Sequence, residues 1–276
     1  MDPARQRRLA RHGAQGPAGG ERRHPRHLRQ LRVTESREIP NLDAAIFLRA
    51  AARYGPLAVG IVTPLEADDH YHFLARLLMD SPRIFVGQHL SSQPAYGSKG
   101  PTNLDLTGGR FPRAPLFLGA FPPLVDPESV ETGFANVPDG YASIRRAPFV
   151  AELQGRLVGS VLYAGLRAGD LALPAHFTAS HQQLVLRSER LLPISQTGTV
   201  PLAEGATQRV TVVPYGDFVL SSERAEQEGE TSPLHDLVKG RIVLLGQDDE
   251  TSRRLVIGDE RWSDAYFWAV AFAGVL

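Results

Sequence analysis

The chain is predicted to be an α/β protein, a single domain with a mixed, largely parallel central sheet and flanking helices behind a disordered tail. Two observations carry this. Amphipathic helical segments alternate with short, continuously apolar strands between Asn41 and Gly87, the pattern of parallel strands joined by crossovers. A further unbroken apolar strand, Arg241 to Gly246, stands near the end of the chain. At 276 residues with 42% hydrophobic content, there is ample material for a packed core.

Residues 1 to 36 read as the tail. Nine Arg and a single acid, Glu21, lie between Arg5 and Arg32, interrupted by Gly16-Pro17-Ala18-Gly19-Gly20. Few apolar groups are available there to offset the entropy of ordering. The domain is placed at residues 37–276.

Asn41 is positioned to cap a helix over Leu42 to Tyr54, which Gly55 stops. Leu57 to Val62 is a short apolar strand, and Glu66 to Met79 is a second helix with Phe73, Leu74, Leu77 and Leu78 on its inner face. Arg83 to Gly87 is the next buried strand. Leu90 to Arg113 is loop-like, and Pro115 to Val125 is too rich in proline for a central strand. Thr132 to Val137 and Ala142 to Val150 flank a turn at Pro138-Asp139-Gly140. A helix is expected over Val158 to Leu171, then strands at Gln183–Arg187, Leu191–Ile194 and Arg209–Val213. Ala225 to Ser232 reads as an acidic loop, and Asp236 to Lys239 as the last turn before the strand at Arg241.

Composition narrows the function. Acids and bases balance at 30 each, which argues against nucleic-acid binding. There is no Cys, so disulfides, thiolate metal sites and Cys nucleophiles are excluded. Lys occurs only at Lys99 and Lys239, an Arg bias that fits GC-rich coding. No run of about 18–20 apolar residues spans a bilayer unaided, and no secretory signal is visible.

The chain has no G-x-S-x-G elbow, phosphate loop, H-E-x-x-H or G-x-G-x-x-G motif, and neither an enzymatic activity nor a cofactor is expected. Two acidic clusters are candidates for ligand binding. Asp68 and Asp69 open the second helix, where Asp68 and His72 share a face and could hold a divalent metal, or simply complement the helix dipole. Asp248 and Asp249 follow the strand ending at Gly246, where loops of an open α/β sheet bind ligands. Arg253 and Arg254 are near enough in sequence to neutralise them; of these, Arg253 joins Asp68, Asp69, Asp248 and Asp249 as a candidate ligand contact. A metal-dependent enzyme using Asp248, Asp249 and Asp68, and a structural module without a ligand, are the rival readings.

Two segments carry a family resemblance. Gly133-Phe134-Ala135-Asn136-Val137-Pro138-Asp139 leads to Arg145-Arg146-Ala147-Pro148, and Leu237-Val238-Lys239-Gly240-Arg241-Ile242-Val243-Leu244-Leu245-Gly246 follows later. Together these resemble the type-two CHASE domain, a bacterial sensory domain outside the cytoplasmic membrane, over about Ile39 to Leu276. The sequence departs from that pattern at Thr63, Tyr141, Ala142, Gln247, Asp248 and Asp264-Ala265-Tyr266-Phe267, marking a divergent member. The resemblance implies a sensory input domain for an unknown small-molecule or protein signal, on the extracytoplasmic face of the membrane and capable of homodimerising. It also implies membrane helices and an output module, a cyclase or kinase, that this chain lacks. Because the apolar run Ala265 to Leu276 ends with the chain, a truncated gene or gene model is the expectation.

Overall fold

A computed structural model describes residues 39–65, 71–80, 83–94, 100–101, 111–121, 130–137, 145–172, 183–186, 188–228, 232–248, 253–257 and 260–276. The Arg-rich segment 1–36, the turn at Pro138-Asp139-Gly140 and residues Glu66 to His70 lie outside them.

The first half runs α1 (Asn41–Ala52), β1 (Ala58–Ile61), α2 (Tyr71–Met79), β2 (Ile84–Gln88), β3 (Leu90–Ser91), β4 (Leu116–Phe117), β5 (Gly119–Ala120) and β6 (Glu131–Phe134). Then come β7 (Arg146–Pro148), β8 (Val150–Leu153), β9 (Arg156–Gly159), α3 (Val161–Ala168), β10 (Gln183–Val185), β11 (Leu191–Pro193) and β12 (Thr199–Pro201). A 3-10 turn at Ala206–Arg209 precedes α4 (Tyr215–Glu228), α5 (Leu234–Val238), β13 (Ile242–Leu245), β14 (Arg253–Ile257), β15 (Glu260–Ser263) and α6 (Asp264–Val275).

The α/β architecture is the expected one. Its central sheet has the order β13-β1-β2-β6, and every pairing in it is parallel. Antiparallel pairing is confined to ribbons outside it, such as β8–β9, β10–β11 and β14–β15. Side chains alternate across the sheet as strand geometry requires. Val59, Ile61, Ile84, Val86 and Leu245 join the core under α1, α2, α4 and α5. Ala58, Val62 and Phe85 face the opposite core, built with α3 and α6. Helices therefore cover both faces, the arrangement that buries parallel strands.

One joint holds the second face together. The Phe85 ring lies over Gly60, where an added Cβ would come within 2.2 Å of it, and it reaches Gly165 of α3. Phe272 of α6 meets Phe85 with ring centroids 5.6 Å apart and closes on the same Gly165. Two missing side chains thus make the room that two aromatic rings fill.

Helix α6 is apolar all round, which a helix tolerates when it is enclosed. Ser263 caps it by accepting from the Tyr266 N–H at 3.1 Å. At the other end, the Ala203 N–H, the Arg209 guanidinium and the Arg190 guanidinium donate to the carbonyls of Gly274, Ala273 and Val275. Its indole donor, Trp268 Nε1, binds the Ala135 carbonyl at 3.1 Å. Its terminal carbonyls are therefore satisfied within the domain. Among the described residues no helix is long and apolar enough to cross a membrane.

Several elements differ from expectation. Asn41 is the first residue of α1 and fully buried; Pro40 occupies the cap position. Phe73 is 50% exposed, so the inner stripe of α2 narrows to Leu74, Leu77 and Leu78. Ala225 to Glu228 belongs to the long helix α4, whose Phe218 anchors it against Phe47 at 5.3 Å. Residues Arg253 to Ser263 form an unforeseen hairpin. Strand β13 is not buried on both sides: it is the edge strand, and Ile242, Val243 and Leu244 are only half-buried.

The glycine seats give a direct test. Gly60→Ala and Gly165→Ala each push a Cβ into a closed aromatic joint and should cost about 1–3 kcal/mol. Phe85→Ala empties the joint and should cost about 3–5 kcal/mol. Urea unfolding of the three variants measures both.

Candidate functional site

The sheet order reverses at β1, which pairs with β2 on one side and β13 on the other. Ligands of open α/β sheets bind outside the strands' carboxyl ends at such a point. Here the two chain segments leaving β1 and β13 are tied together. The Thr63 hydroxyl accepts from the Gln247 N–H at 2.9 Å, which clamps the crevice. Gly246 lets α6 start directly against the strand end, since a Cβ there would fall 2.2 Å from Ala265.

Asp248 stands in this crevice beside Tyr266. The Tyr266 hydroxyl is held above its ordinary range by burial first, then by the nearby charges of Glu260 and Asp248. The Trp262 ring packs edge-on to Tyr266 at 4.8 Å and donates its indole N–H to Glu260 at 2.9 Å.

From the crevice an open slot of about 540 Å³ runs along β13. One wall comes from α4 and α5, with Phe218, Leu234, Leu237 and Val238. The other comes from α6, where Ala265, Ala269 and Ala273 stand at successive turns and keep the wall low. An extended strap, Val210 to Val213, lines the slot as well. Arg241 stands at one end and Asp248 at the other. Both volume and apolar character suit a small-molecule or peptide pocket.

Of the residues singled out from sequence, Asp248 alone is placed in this site. Asp68, Asp69 and Asp249 lie outside the described residues, as does the side chain of Arg253, whose backbone forms the start of β14. His72 is exposed on α2. Among the described residues no three His, Asp or Glu side chains converge as metal ligands. The slot itself went unforeseen, because its walls come from α4, the strap and α6, segments with no chemical motif. The one available signal was the strand-like Arg209–Val213, which the structure leaves extended but outside any sheet.

The segments carrying the family resemblance serve the frame around this site. Gly133 allows β6 to touch the Ser160 backbone, 2.4 Å from where its Cβ would lie. Asn136 bridges the Leu90 backbone, accepting from its N–H at 2.6 Å and donating to its carbonyl at 2.9 Å. Arg146 donates to both the hydroxyl and the carbonyl of Thr199 at 2.8 Å. Gly240 takes a left-handed φ of 67° at the entry to β13. Comparison with protein-family models, with curated proteins and with solved structures finds no match for the chain.

The slot wall is braced by Tyr215, whose hydroxyl donates to the Asp43 carbonyl at 3.2 Å and joins α4 to α1. Burial, followed by the Asp43 charge, raises the Tyr215 hydroxyl well above its usual 10.0. The folded state therefore keeps a proton that the unfolded chain releases, so this contribution is complete below pH 10 and is lost as pH rises through the folded value. Tyr215→Phe should flatten the alkaline decline in stability, read as the melting temperature against pH, while costing about 1 kcal/mol at neutral pH.

Proposed function

We propose that this chain is the sensory input domain of a bacterial transmembrane signalling receptor, and that its signal binds in the slot beside β13. The observation that carries this reading is the slot itself: about 540 Å³ of apolar space between two helical walls of one domain. A ligand touching both walls favours one spacing between them, and that differential affinity is what a sensor needs. One wall is α6, the last helix, so a shift on binding reaches the C-terminal end directly. The resemblance at Gly133 to Pro148 and at Leu237 to Gly246 supports the same assignment, with an extracytoplasmic position, following membrane helices and a cyclase or kinase output. The polar groups of the slot sit at its ends, Asp248 beside Tyr266 at one and Arg241 at the other.

Ala269 faces the slot from α6 and is half-buried, so a larger side chain there fills the space without entering the core. A thermal-shift screen of the full chain against fatty acids, nucleosides, amino acids and short peptides should yield stabilising compounds. Their effect should vanish in Ala269→Trp, with the variant's own melting temperature retained. A screen without any stabiliser, or hits indifferent to Ala269→Trp, would overturn the assignment.

A further inference from the structure

We infer that the slot is a strand-addition site, and that its ligand is an extended peptide segment, apolar along its length and bearing an acid at the end that meets Arg241. The inference rests on the proposed sensor reading for the slot's role and adds the chemical class of the signal.

The first argument is the hydrogen-bonding state of β13. The carbonyls of Arg241 and Leu245 accept from the N–H groups of Leu57 and Val62, so these residues turn toward β1. Peptide groups alternate sides along a strand, which leaves those of Ile242 and Leu244 facing outward. They face the slot, since the sheet ends at β13 and both residues line that space. An edge of this kind is a template for another strand.

The second argument is the strap. Thr211, Val212 and Val213 are β-branched and lie outside helix and sheet, and they make no backbone hydrogen bond among the described residues. Val212 is 60% exposed. A sequence with the composition of a strand thus lines the same slot as an open edge, with neither paired. A segment entering the slot takes its ladder bonds from the β13 edge and has the strap as an apolar neighbour on its other side.

The third argument concerns side chains. A strand added beside β13 would point successive side chains alternately at α5 and α6, and both walls are apolar. Such a segment must be apolar at consecutive positions, as strands buried on both faces are. The low wall made by Ala265, Ala269 and Ala273 leaves room for branched side chains.

The fourth is charge. Arg241 marks the entry to β13, lines the slot and makes no ion pair among the described residues. The acid of the ligand therefore belongs beside Arg241.

The test is selection of binders from a random peptide library displayed on phage, using the full chain, followed by synthesis of the enriched peptides. Enriched peptides should carry an apolar run of β-branched residues with an acid at one end. Methylating backbone nitrogens one at a time should weaken binding about tenfold at alternate positions and much less between them. Arg241→Glu should weaken binding about tenfold and shift selection toward peptides with a base in place of the acid. Ala269→Trp should abolish binding while its melting temperature shows that it folds. An N-methyl scan without alternation, or binders that survive Ala269→Trp, would overturn strand addition. If no peptide binds while myristate stabilises the chain and fails to stabilise Ala269→Trp, the peptide class is wrong and the sensor reading stands. If neither probe acts, both fall.

Discussion

The structure depends on a pair of aromatic rings that occupy space left by two glycines. Phe85 comes from the middle of the sheet and Phe272 from the last helix, and they meet over Gly60 and Gly165. Their contact ties a central strand, the helix α3 and the C-terminal helix together in one place. Because interiors are packed at crystal density, these rings set how far α6 stands from the sheet. That spacing in turn sets the width of the slot, since Phe272 lines the slot from the inner side of α6.

The open edge follows from the same arrangement. Helix α6 is anchored at three levels: Ser263 at its start, Trp268 on Ala135 in its middle, and the donors from Ala203, Arg209 and Arg190 at its end. A helix held so firmly cannot settle onto the edge of β13. On the other side, α4 is held to α1 by Phe218 against Phe47 and by Tyr215 on Asp43. Two anchored walls with an edge strand between them keep the slot open. The strap from Val210 to Val213 is tied more lightly, by the Val210 N–H on the Thr207 carbonyl at 3.3 Å.

Most of the central sheet was legible in the sequence because its strands are short apolar runs bounded by turn residues, as in Leu57 to Val62 and Arg83 to Gly87; β6, Glu131-Thr132-Gly133-Phe134, is the exception. The edge position of β13 was not, because Arg241 to Gly246 has the same apolar run as a central strand. An edge strand lying in a slot between apolar walls reads in sequence as a buried one. Helix α4 was missed because only Phe218 and a few neighbours face the core, and its acidic second half resembles a loop. The hairpin β14–β15 was hidden by the acids and arginines on either side of its start. Of the candidate site, the position at the carboxyl end of β13 was legible from topology alone, through Asp248. The slot was not, because it is a property of spacing between three separate segments.

The residues that carry the family resemblance divide between the frame and the slot. Gly133 and Asn136 hold backbone to backbone at the β6 side of the sheet, and Arg146 ties β7 to β12. Gly240 and Gly246 shape the ends of β13 and line the slot together with Leu237, Val238 and the residues from Arg241 to Leu245. These glycines answer to steric limits that no other residue meets, so they hold whatever the ligand is. The slot walls answer only to size and polarity, which many sequences satisfy. A chain can therefore keep its frame while its binding chemistry changes. Next to Asp248 at the end of the slot, the Thr63 hydroxyl accepts from the Gln247 N–H and ties the chain leaving β1 to the chain leaving β13. Changes at these positions bear on the slot's mouth and not on the aromatic joint of Phe85 and Phe272.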